Sequence, residues 1–433
     1  MTRKEGKMKK YLLLLFIPVL FASITVDSTE IEFLLSNQEN YRLNFRVTDN
    51  AFSSVPSNPN VYSQIDTYLD RNLTEKKSVI KENQVFEIVS VEINDQNQPV
   101  FLLENSQYVL ADPDLIYDDR ILETTSTQAT VWLKKDFKIY SSPIGNQQKK
   151  LQTSLKAFQS VQISEIVSTP TDVYAKIEGQ GWLRSSDLSQ EDNRMEAVQE
   201  LLNSNYSSSN ISVYVKQLSS KKTAGVNQEK MMYAASITKL PVLYYIQEKI
   251  DQKEYSLTEG LQYIDKVTTF KGSYSAEGSG SLGKESDDRY YRIDELINKT
   301  AKESDNAASN LLAYYATNQF DETFYEEITS IVGQKWDMSS RMASAQMAGL
   351  MMEAIYNQAG YVLGSLQSTQ FDDQRIARDI PVPVAHKIGD AYDFRHDVGV
   401  IYSDSPFVLS IFTDQSDYET ISKVANEVYG ILR

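Results

Sequence analysis

A serine three residues before a lysine is the first feature of this sequence that could carry out chemistry. In the segment AASITKLP, Ser236 precedes Lys239 at the start of an apolar run. In a helix this spacing places both side chains on one face, within reach of each other. A serine hydroxyl becomes a useful nucleophile when a neighbouring base removes its proton, and an uncharged lysine can be that base. A serine at a helix N-terminus also lies beside free backbone N–H groups that can stabilise an oxyanion.

The spacing alone does not establish a catalytic pair. The pattern Ser-x-x-Lys occurs four times in the chain, at Ser78/Lys81, Ser219/Lys222, Ser236/Lys239 and Ser281/Lys284. Only the third follows a predicted strand and begins a predicted buried helix. Taken by itself, even that occurrence favours a helix-capping serine followed by a solvated lysine.

The elements around this pair predict an α/β domain. After the polar junction SSDLSQEDNRME, the patterns predict a helix at MEAVQELLN, a strand at ISVYVKQL and a helix at ITKLPVLYYIQEKI. Further helices are predicted around 290–316, 321–333 and 340–358. DVGVIYSD and PFVLSIFTD are two adjacent strands, and ETISKVANEVYGIL is a final amphipathic helix. This order predicts one sheet that is built from both ends of the segment and covered by helices.

Two later motifs change the interpretation of the serine-lysine pair. ESDNAASNLL contains Ser304, Asp305 and Asn306, and VAHKIGD contains Lys387 and Gly389. Ser-x-x-Lys, then Ser-Asp-Asn, then Lys-x-Gly on a late strand resembles the penicillin-binding protein superfamily, and the class A β-lactamase-like branch most closely. The resemblance covers residues 195–433 and includes the loop GSGSLG, the segment YRIDELI, Arg395 and Asp397. It implies a three-layer α/β domain that acts as a serine hydrolase.

The resemblance implies four catalytic residues, Ser236, Lys239, Ser304 and Lys387. Ser236 would be the nucleophile and Lys239 its base, which requires that burial or a nearby cation lower the pKa of Lys239 from about 10.4. Lys387 would supply that cation. Ser304 would relay a proton to the leaving nitrogen of the substrate.

Four more residues are implied in substrate binding. Asn306 would hold the substrate amide, and Gly389, the glycine of the Lys-x-Gly motif, is also assigned to substrate binding. The backbone N–H groups of Ser236 and Asp390 would form the oxyanion hole. Arg395 would bind a substrate carboxylate, a natural task for a guanidinium group.

The sequence departs from the family pattern at two points. Active class A β-lactamases carry a glutamate after the Ser-Asp-Asn helix, but here IVGQKWDMSSRMASAQM leads almost directly into the next helix. Glu326 and Glu327 are the nearest acids, and they fall within an earlier predicted helix, so an acyl-enzyme should persist. Ile388 replaces the hydroxyl residue of Lys-Thr-Gly and cannot donate a hydrogen bond, which leaves carboxylate recognition weakened or dependent on Arg395.

Several other classes of site are disfavoured. The net charge of −16 argues against a nucleic-acid partner. The chain has no cysteine, and its only histidines, His386 and His396, show no metal-ligand spacing, so no metal or other cofactor is predicted. A Ser-His-Asp triad is conceivable, but no G-x-S-x-G segment exists, and we interpret the histidines as strand or rim residues. GSGSLG matches G-x-G-x-x-G literally without a preceding strand or a following helix, so we predict a flexible loop rather than a dinucleotide site.

Residues 1–28 predict a targeting segment. Basic residues including Arg3, Lys4 and Lys7 precede the apolar run YLLLLFIPVLFASITV. This pattern is typical of a signal peptide or signal anchor. FAS is a poor signal-peptidase cleavage site, which favours a retained anchor. The alternative to a targeting segment is a helix buried in the core of a domain. The rest of the chain is therefore expected outside the cytoplasm, with the membrane contacted only through this segment.

Residues 29–190 are predicted to be rich in strands. PVFLLENSQYVLADPDLI and DVYAKIEGQGWLRSSDLS share a strand, a polar turn, an aromatic residue and an Asp-Leu ending, which suggests two copies of one small β-domain. GQGWLRSSDLS resembles bacterial SH3-like and GW-type wall-targeting modules, well over 124–190 and loosely over 29–123. The resemblance implies binding to a cell-wall polymer, most favourably by the lysine-rich second copy, and plain spacer domains are the alternative.

Three functions follow from these patterns. The first is an acyl-enzyme hydrolase or acyltransferase that acts on D-alanyl peptides of the cell wall or related amides, in residues 191–433. The second is a β-lactamase that hydrolyses β-lactams, which the missing glutamate opposes. The third is a catalytically inactive wall-binding or scaffold protein that keeps the fold, which Ile388 favours and the intact motifs oppose.

Overall fold

The computed structural model describes residues 52 and 54–433, and the chain divides between Arg120 and Ile121 into two units. The predicted signal or anchor segment, residues 1–28, lies outside the described residues. Within the described part of the chain, every helix is too short or too polar to cross a lipid bilayer.

The first unit is an all-β domain in its described part. Its strands are β1 Pro59–Val61, β2 Ile65–Tyr68, β3 Lys76–Ile80, β4 Ile88–Ile93, β5 Pro99–Leu103, β6 Tyr108–Leu110 and β7 Ile116–Asp118. Five of them form an antiparallel sheet in the order β3-β2-β6-β5-β4, and β1 pairs with β7. Phe101, Val109 and Ile116 are fully buried in its core. The prediction that this region is rich in strands is therefore confirmed for its described part.

The second unit begins with another small antiparallel sheet. Its strands are β8 Glu123–Leu133, β9 Ser160–Ser168, β10 Val173–Ile177, β11 Gly181–Arg184 and β12 Leu188–Ser189, in the order β11-β10-β9-β8-β12. The two similar sequence segments each form a hairpin, β5–β6 in the first unit and β10–β11 here. The sheets around the hairpins differ, because β6 also pairs with β2 whereas β11 is an edge strand.

The rest of the second unit is an α/β domain. Its strands are β13 Ile211–Gln217, β14 Thr223–Val226, β15 Met232–Tyr233, β16 Gly260–Gln262, β17 Tyr290–Arg292, β18 Met342–Ala343, β19 Val384–Ala391, β20 Phe394–Ile401 and β21 Phe407–Asp414. Its helices are α1 Arg194–Asn205, α2 Leu240–Asp251, α3 Ile293–Lys302, α4 Asn306–Ala316, α5 Glu322–Val332, α6 Ala345–Gln358, α7 Tyr361–Ser365 and α8 Tyr418–Leu432.

A five-stranded antiparallel sheet in the order β14-β13-β21-β20-β19 forms the middle layer of this domain. Side chains alternate between its two faces. Val213 and Val215 pack with α1 and α8, whereas Tyr214 and Phe412 pack with α2 and α6 on the other face. PFVLSIF is apolar almost throughout because both faces of this strand are covered. The predicted three-layer arrangement, with one sheet built from both ends of the segment, is confirmed.

Helix boundaries in this domain follow capping residues. The predicted helical region around 290–316 contains two helices, because the side chain of Asp305 accepts a hydrogen bond from Ala308 N and begins α4 anew. The helix predicted around 340–358 begins only at Ala345, where the side chain of Ser344 accepts from Met347 N. Side-chain oxygens that satisfy the free N–H groups of a first turn set where a helix begins.

Candidate active site

Ser236 lies in a 3₁₀ turn, Ala235–Lys239, that leads directly into α2. The preceding strand β15 pairs with β18, and Ala234 N donates a hydrogen bond of 2.8 Å to Arg341 O. Ala235 has a φ of 48°, a left-handed conformation that non-glycine residues hold only where the surrounding structure enforces it. Ser236 makes no capping hydrogen bond in this segment. The interpretation of Ser236 as a helix cap is therefore wrong.

Lys239 is fully buried, which also excludes the solvated lysine of that interpretation. Its amine Nζ lies near Ser304 O at 2.6 Å, Asn306 Oδ1 at 2.7 Å, Ser236 Oγ at 2.9 Å and Ser304 Oγ at 3.3 Å. The carbonyl oxygens of Ser304 and Asn306 can only accept, so they take two N–H groups of the amine. An uncharged amine then keeps its lone pair for the proton of Ser236.

The surroundings of Lys239 favour the uncharged amine. Burial lowers the pKa of Lys239 well below its ordinary value of 10.5, because a charge loses its hydration in the interior. The positive charge of Lys387 lowers this pKa further, as does the guanidinium of Arg341, and Asp305 opposes them. These effects make the uncharged amine, the form that can accept a proton, more accessible than in an exposed lysine.

Ser304 lies between the two lysines of the site. The Nζ of Lys387 donates hydrogen bonds to Ser304 Oγ at 2.8 Å and to Ile388 O at 2.9 Å. Lys387 is fully buried, and burial lowers its pKa from 10.5 to about 7, with Asp397 opposing this change. Ser304 itself has a left-handed φ of 56°. Its hydroxyl thus contacts both amines and can pass a proton between them and a ligand.

The glycine-rich segment GSGSLG is anchored on the second motif. The carboxylate of Asp305 accepts a hydrogen bond of 2.7 Å from Leu282 N, and the backbone N–H of Asn306 donates one of 2.9 Å to Ser279 O. Gly280 has a φ of +108°, and a Cβ there would lie 2.1 Å from the Asp305 carboxyl group, so only glycine fits. The predicted loop is present, but these bonds fix it to Asp305 and Asn306, and the prediction that it is flexible finds no support.

The edge strand β19 passes close to the 3₁₀ turn that carries Ser236. A Cβ at Gly389 would lie 2.7 Å from Ala234 O, so glycine permits this approach. His386 N donates to Leu366 O, outside the sheet, and N–H groups two residues apart along a strand point the same way. The N–H of Asp390 therefore also points away from β20, out of the sheet edge. This orientation fits the predicted role of the Asp390 N–H in an oxyanion hole.

Arg395, the predicted carboxylate-binding residue, already has a carboxylate partner. Its Nη1 lies 3.2 Å from the Asp390 side chain and also donates to the carbonyl oxygens of Tyr392 and Phe394. Arg375 contacts the same carboxylate at 2.7 Å. Sequence reasoning missed Arg375, because it lies outside every motif and reaches Asp390 only through the folding of the chain.

Two further residues that the sequence did not indicate lie beside the base. The Nζ of Lys239 is 4.5 Å from the centroid of the Tyr274 ring, and the guanidinium carbon of Arg341 is 4.0 Å from it. The Tyr274 hydroxyl contacts the Thr238 hydroxyl and donates to Ala235 O at 3.2 Å. The ring thus covers the buried amine, while Arg341 adds a positive charge on this side of the site.

The catalytic glutamate of class A β-lactamases has no counterpart among the described residues of this segment. Residues 333–341 alone connect α5 to β18, and Glu326 and Glu327 lie within α5 as predicted. Burial and the nearby Glu248 of α2 raise the pKa of Glu327. Lys239 does not affect this pKa, so nothing links Glu327 to the base beside Ser236. Ile388 is buried, and its carbonyl oxygen accepts a hydrogen bond from Lys387 Nζ.

Both histidines lie on strands of the central sheet and neither contacts Ser236. His386 lies between Asp397 at 2.9 Å and Asp372 at 3.1 Å, and these carboxylates raise its pKa to about 9 against the effect of burial. His396 Nε2 donates to Tyr233 O, and burial lowers its pKa to about 4. A histidine-based triad therefore has no support here. The described residues also contain no cluster of His, Asp and Glu suited to a metal ion.

Solved structures resemble this chain over its C-terminal part. A β-lactamase from Sphaerobacter thermophilus DSM 20745 is 19% identical and covers 56% of this chain and 96% of its own, with a TM-score of 0.44. A PBP-A mutant, solved as an acyl-enzyme complex with penicillin-G, is 17% identical and covers 55% of this chain and 96% of its own, with a TM-score of 0.45. A β-lactamase from Burkholderia phymatum is 19% identical and covers 55% and 99%, with a TM-score of 0.43. No curated protein matches the sequence.

The sequence also matches the model of one protein family. The matched residues are 193–432, and the family is described as the Beta-lactamase enzyme family. The match begins just before α1 and ends within α8, so it takes in the whole α/β domain with Ser236, Lys239, Ser304 and Lys387. Because it spans more than half of the chain, the protein belongs to the β-lactamase enzyme family.

Proposed function

We propose that this protein is a serine acyl-transfer enzyme that forms a covalent intermediate on Ser236. The observation that carries the proposal is the contact of 2.9 Å between Lys239 Nζ and Ser236 Oγ, in a site that lowers the pKa of the lysine. Serine hydrolases of this family need such an activated hydroxyl, because serine is a weak nucleophile at its ordinary pKa.

In the proposed reaction, Lys239, Ser304, Asn306 and two backbone N–H groups each have one role. Lys239 accepts the Ser236 proton as Oγ attacks the carbonyl carbon of an amide or ester. The N–H groups of Ser236 and Asp390 stabilise the resulting oxyanion, and removing one such donor typically costs about 10²–10³ in rate. The bond to the leaving group then breaks. The leaving nitrogen of an amide, or oxygen of an ester, receives through Ser304 the proton that Lys239 accepted. Asn306 holds the substrate amide, and the acyl group stays on Ser236.

The acyl-enzyme is expected to persist. Its hydrolysis needs a base that positions and deprotonates a water molecule. The carboxylate of Asp305 already accepts hydrogen bonds from Leu282 N and Ala308 N. The other charged groups that shift the pKa of Lys239 are the cations Lys387 and Arg341, and a cation cannot serve as this base. We therefore favour slow deacylation or transfer of the acyl group to an amine over rapid β-lactam hydrolysis.

The mass of the intact protein after exposure to a β-lactam tests the proposal. We expect one stable adduct that has the mass of the added β-lactam and maps to Ser236. Rapid return to the free mass with consumption of the β-lactam would instead identify a β-lactamase, and nitrocefin turnover would confirm it. An unchanged mass with intact β-lactam would favour the inactive, scaffold alternative and overturn the proposal.

We further propose that the natural substrates are D-alanyl peptides of the cell wall or related amides, and that the enzyme acts outside the cytoplasm. The family supports a peptide or β-lactam substrate. The basic residues and apolar run at residues 1–28 support export or membrane anchoring.

Residues 124–190 are proposed to be an SH3-like domain that binds an anionic cell-wall polymer. In support, β12 pairs with β8 to complete a small sheet with its own core. Its exposed lysines are Lys134, Lys135, Lys138, Lys149, Lys150 and Lys156. Sedimentation of the full chain with purified cell wall should fall when these lysines are changed to glutamine, and sedimentation that does not change would refute the proposal. For residues 29–123, the looser SH3-like resemblance stays a prediction.

A further inference from the structure

The side chain of Asp390 is surrounded by hydrogen-bond donors on the strand that borders the active site. Arg375 Nη2 lies 2.7 Å from Asp390 Oδ2, and Arg395 Nη1 lies 3.2 Å from Oδ1. The hydroxyl of Tyr418 also donates to Oδ2. Guanidinium groups are donors only, and together with a hydroxyl they are the groups that bind carboxylates in proteins. These three side chains therefore form an anion site, and Asp390 fills it.

The anion site is built into the fold rather than assembled at the surface. The side chain of Arg375 is only 1% exposed, and its guanidinium lies 3.8 Å from the centre of the Tyr418 ring. Its backbone carbonyl accepts a hydrogen bond of 2.7 Å from Ser422 in α8. A buried guanidinium needs a negative partner, because an unpaired charge in the interior is strongly destabilising. Asp390 supplies that partner within the chain.

The anion site is also partly open to solvent. The side chains of Asp390 and Arg395 are 31% and 28% exposed. The backbone N–H of Asp390 points out of the sheet edge as a candidate oxyanion donor, so a substrate bound there would extend past the side chain of the same residue. A carboxylate on that substrate would compete with Asp390 for the arginines.

We propose that Asp390 acts as an internal carboxylate that selects substrates lacking a negative charge at this position. The inference rests on the proposed function, in that Ser236 is taken to be the acylated residue. Substrates with a neutral amide or ester beside the reacting carbonyl avoid repulsion by Asp390, whereas those with a free carboxylate meet it. Like charges placed together at a binding site are an effective means of rejecting a ligand. Among the proposed D-alanyl peptides and related amides, this narrows the substrates to those whose leaving group carries no free carboxylate beside the reacting amide or ester.

The substitution Asp390→Asn tests this inference, because it removes the charge while keeping the backbone N–H and the approximate size. The probes are benzylpenicillin, which has a free carboxylate, and its methyl ester, which does not. The measured quantity is the ratio of the acylation rate constant for the acid to that for the ester. We expect Asp390→Asn to raise this ratio at least about tenfold, because a close like charge disfavours binding strongly and the two guanidinium groups offset only part of that effect. A ratio equal to that of the unaltered protein would overturn the inference.

Two matched variants separate charge from other effects. Asp393→Asn removes an exposed carboxylate in the β19–β20 turn, and Asp390→Glu keeps the charge, so both should retain the original ratio. A similar rise in either would overturn the inference. If Asp390→Asn does not fold, the reaction rates of the unaltered protein with the two probes still test the inference. After correction for the alkaline hydrolysis rate of each probe, it should react about tenfold faster with the ester, and equal rates would overturn the inference.

The same experiment distinguishes this inference from the proposed function. If Ser236 is acylated but the acid-to-ester ratio of the rate constants is the same in Asp390→Asn as in the unaltered protein, only the inference about Asp390 is overturned. If neither probe forms an adduct with any variant, the proposed function fails, and the inference that rests on it fails too.

Discussion

Replacing Ser236 with alanine is expected to abolish covalent labelling of the protein by a β-lactam probe. Alanine removes the hydroxyl that lies 2.9 Å from Lys239 Nζ, and no second nucleophile contacts this amine except the Ser304 hydroxyl at 3.3 Å among the described residues. The Ser304 hydroxyl also accepts a hydrogen bond of 2.8 Å from Lys387, and we propose it as a proton relay rather than a nucleophile. The measurement is the mass of the intact protein after incubation with penicillin. A circular dichroism spectrum would show that the variant is folded.

The matched control for this loss is Ser219→Ala. Ser219 belongs to another Ser-x-x-Lys pattern, but its hydroxyl is exposed and contacts Ser405 rather than a buried amine. The control should therefore be labelled as fast as the unaltered protein. Labelling that survives in Ser236→Ala would refute Ser236 as the nucleophile.

Replacing Lys239 with methionine is expected to slow acylation by about 10²–10⁴-fold, the usual contribution of a positioned general base. Methionine is uncharged and about as long as lysine, so it can fill the buried space without supplying a lone pair for the Ser236 proton. Ser304 O and Asn306 Oδ1 also lose a donor, which makes the variant somewhat less stable. The measurement is the rate constant for adduct formation over a range of β-lactam concentrations.

The pH dependence of acylation separates a lost base from a disturbed fold. In the unaltered protein the rate should rise with pH as Lys239 loses its proton, well below 10.5, since only the neutral amine can accept. It should fall above about pH 7, where Lys387 loses the charge that supports proton transfer through Ser304. Lys239→Met should lose the rising part and keep the falling part. A rate that climbs steadily to pH 10 in the unaltered protein would contradict a lowered pKa for Lys239.

The control for this variant is Lys222→Met, the lysine of the exposed Ser-x-x-Lys pattern. Lys222 pairs with Glu191 and donates to Asp192 O, on another part of the domain. It should retain the acylation rate and its pH profile. A comparable loss in Lys222→Met would mean that methionine at a lysine position impairs the domain generally.

Local patterns were sufficient to predict most of the longer helices and strands of the α/β domain, but not short elements such as β14 and α7. Apolar residues at helical spacing mark α2, α5 and α8, and alternating or continuous apolar runs mark β13, β20 and β21. These patterns reflect which faces must be buried, so they depend mainly on residues that are near one another in sequence. The patterns located the ends of helices less well, since the start of α6 depends on a hydrogen bond that the Ser344 side chain accepts from Met347 N.

The candidate site was predictable only as a set of motifs. Their order along the chain indicated that Ser236, Lys239, Ser304 and Lys387 belong together, and the structure brings these four side chains into contact. Nothing in the same motifs indicated Tyr274 beside the base. Its position depends on a loop and a helix start that are distant in sequence and meet only in the folded domain.

The sequence by itself determined which residue types could act, their spacing within each motif, and the α/β architecture that carries them. Only the tertiary structure decided which lysine is buried enough to lose its charge, and that the arginine predicted to bind a substrate carboxylate is already paired with Asp390. The reason is physical. Helices and strands follow from local burial patterns, whereas the charge state and partners of an ionisable group depend on hydration and on charges within a few ångströms, which distant segments supply.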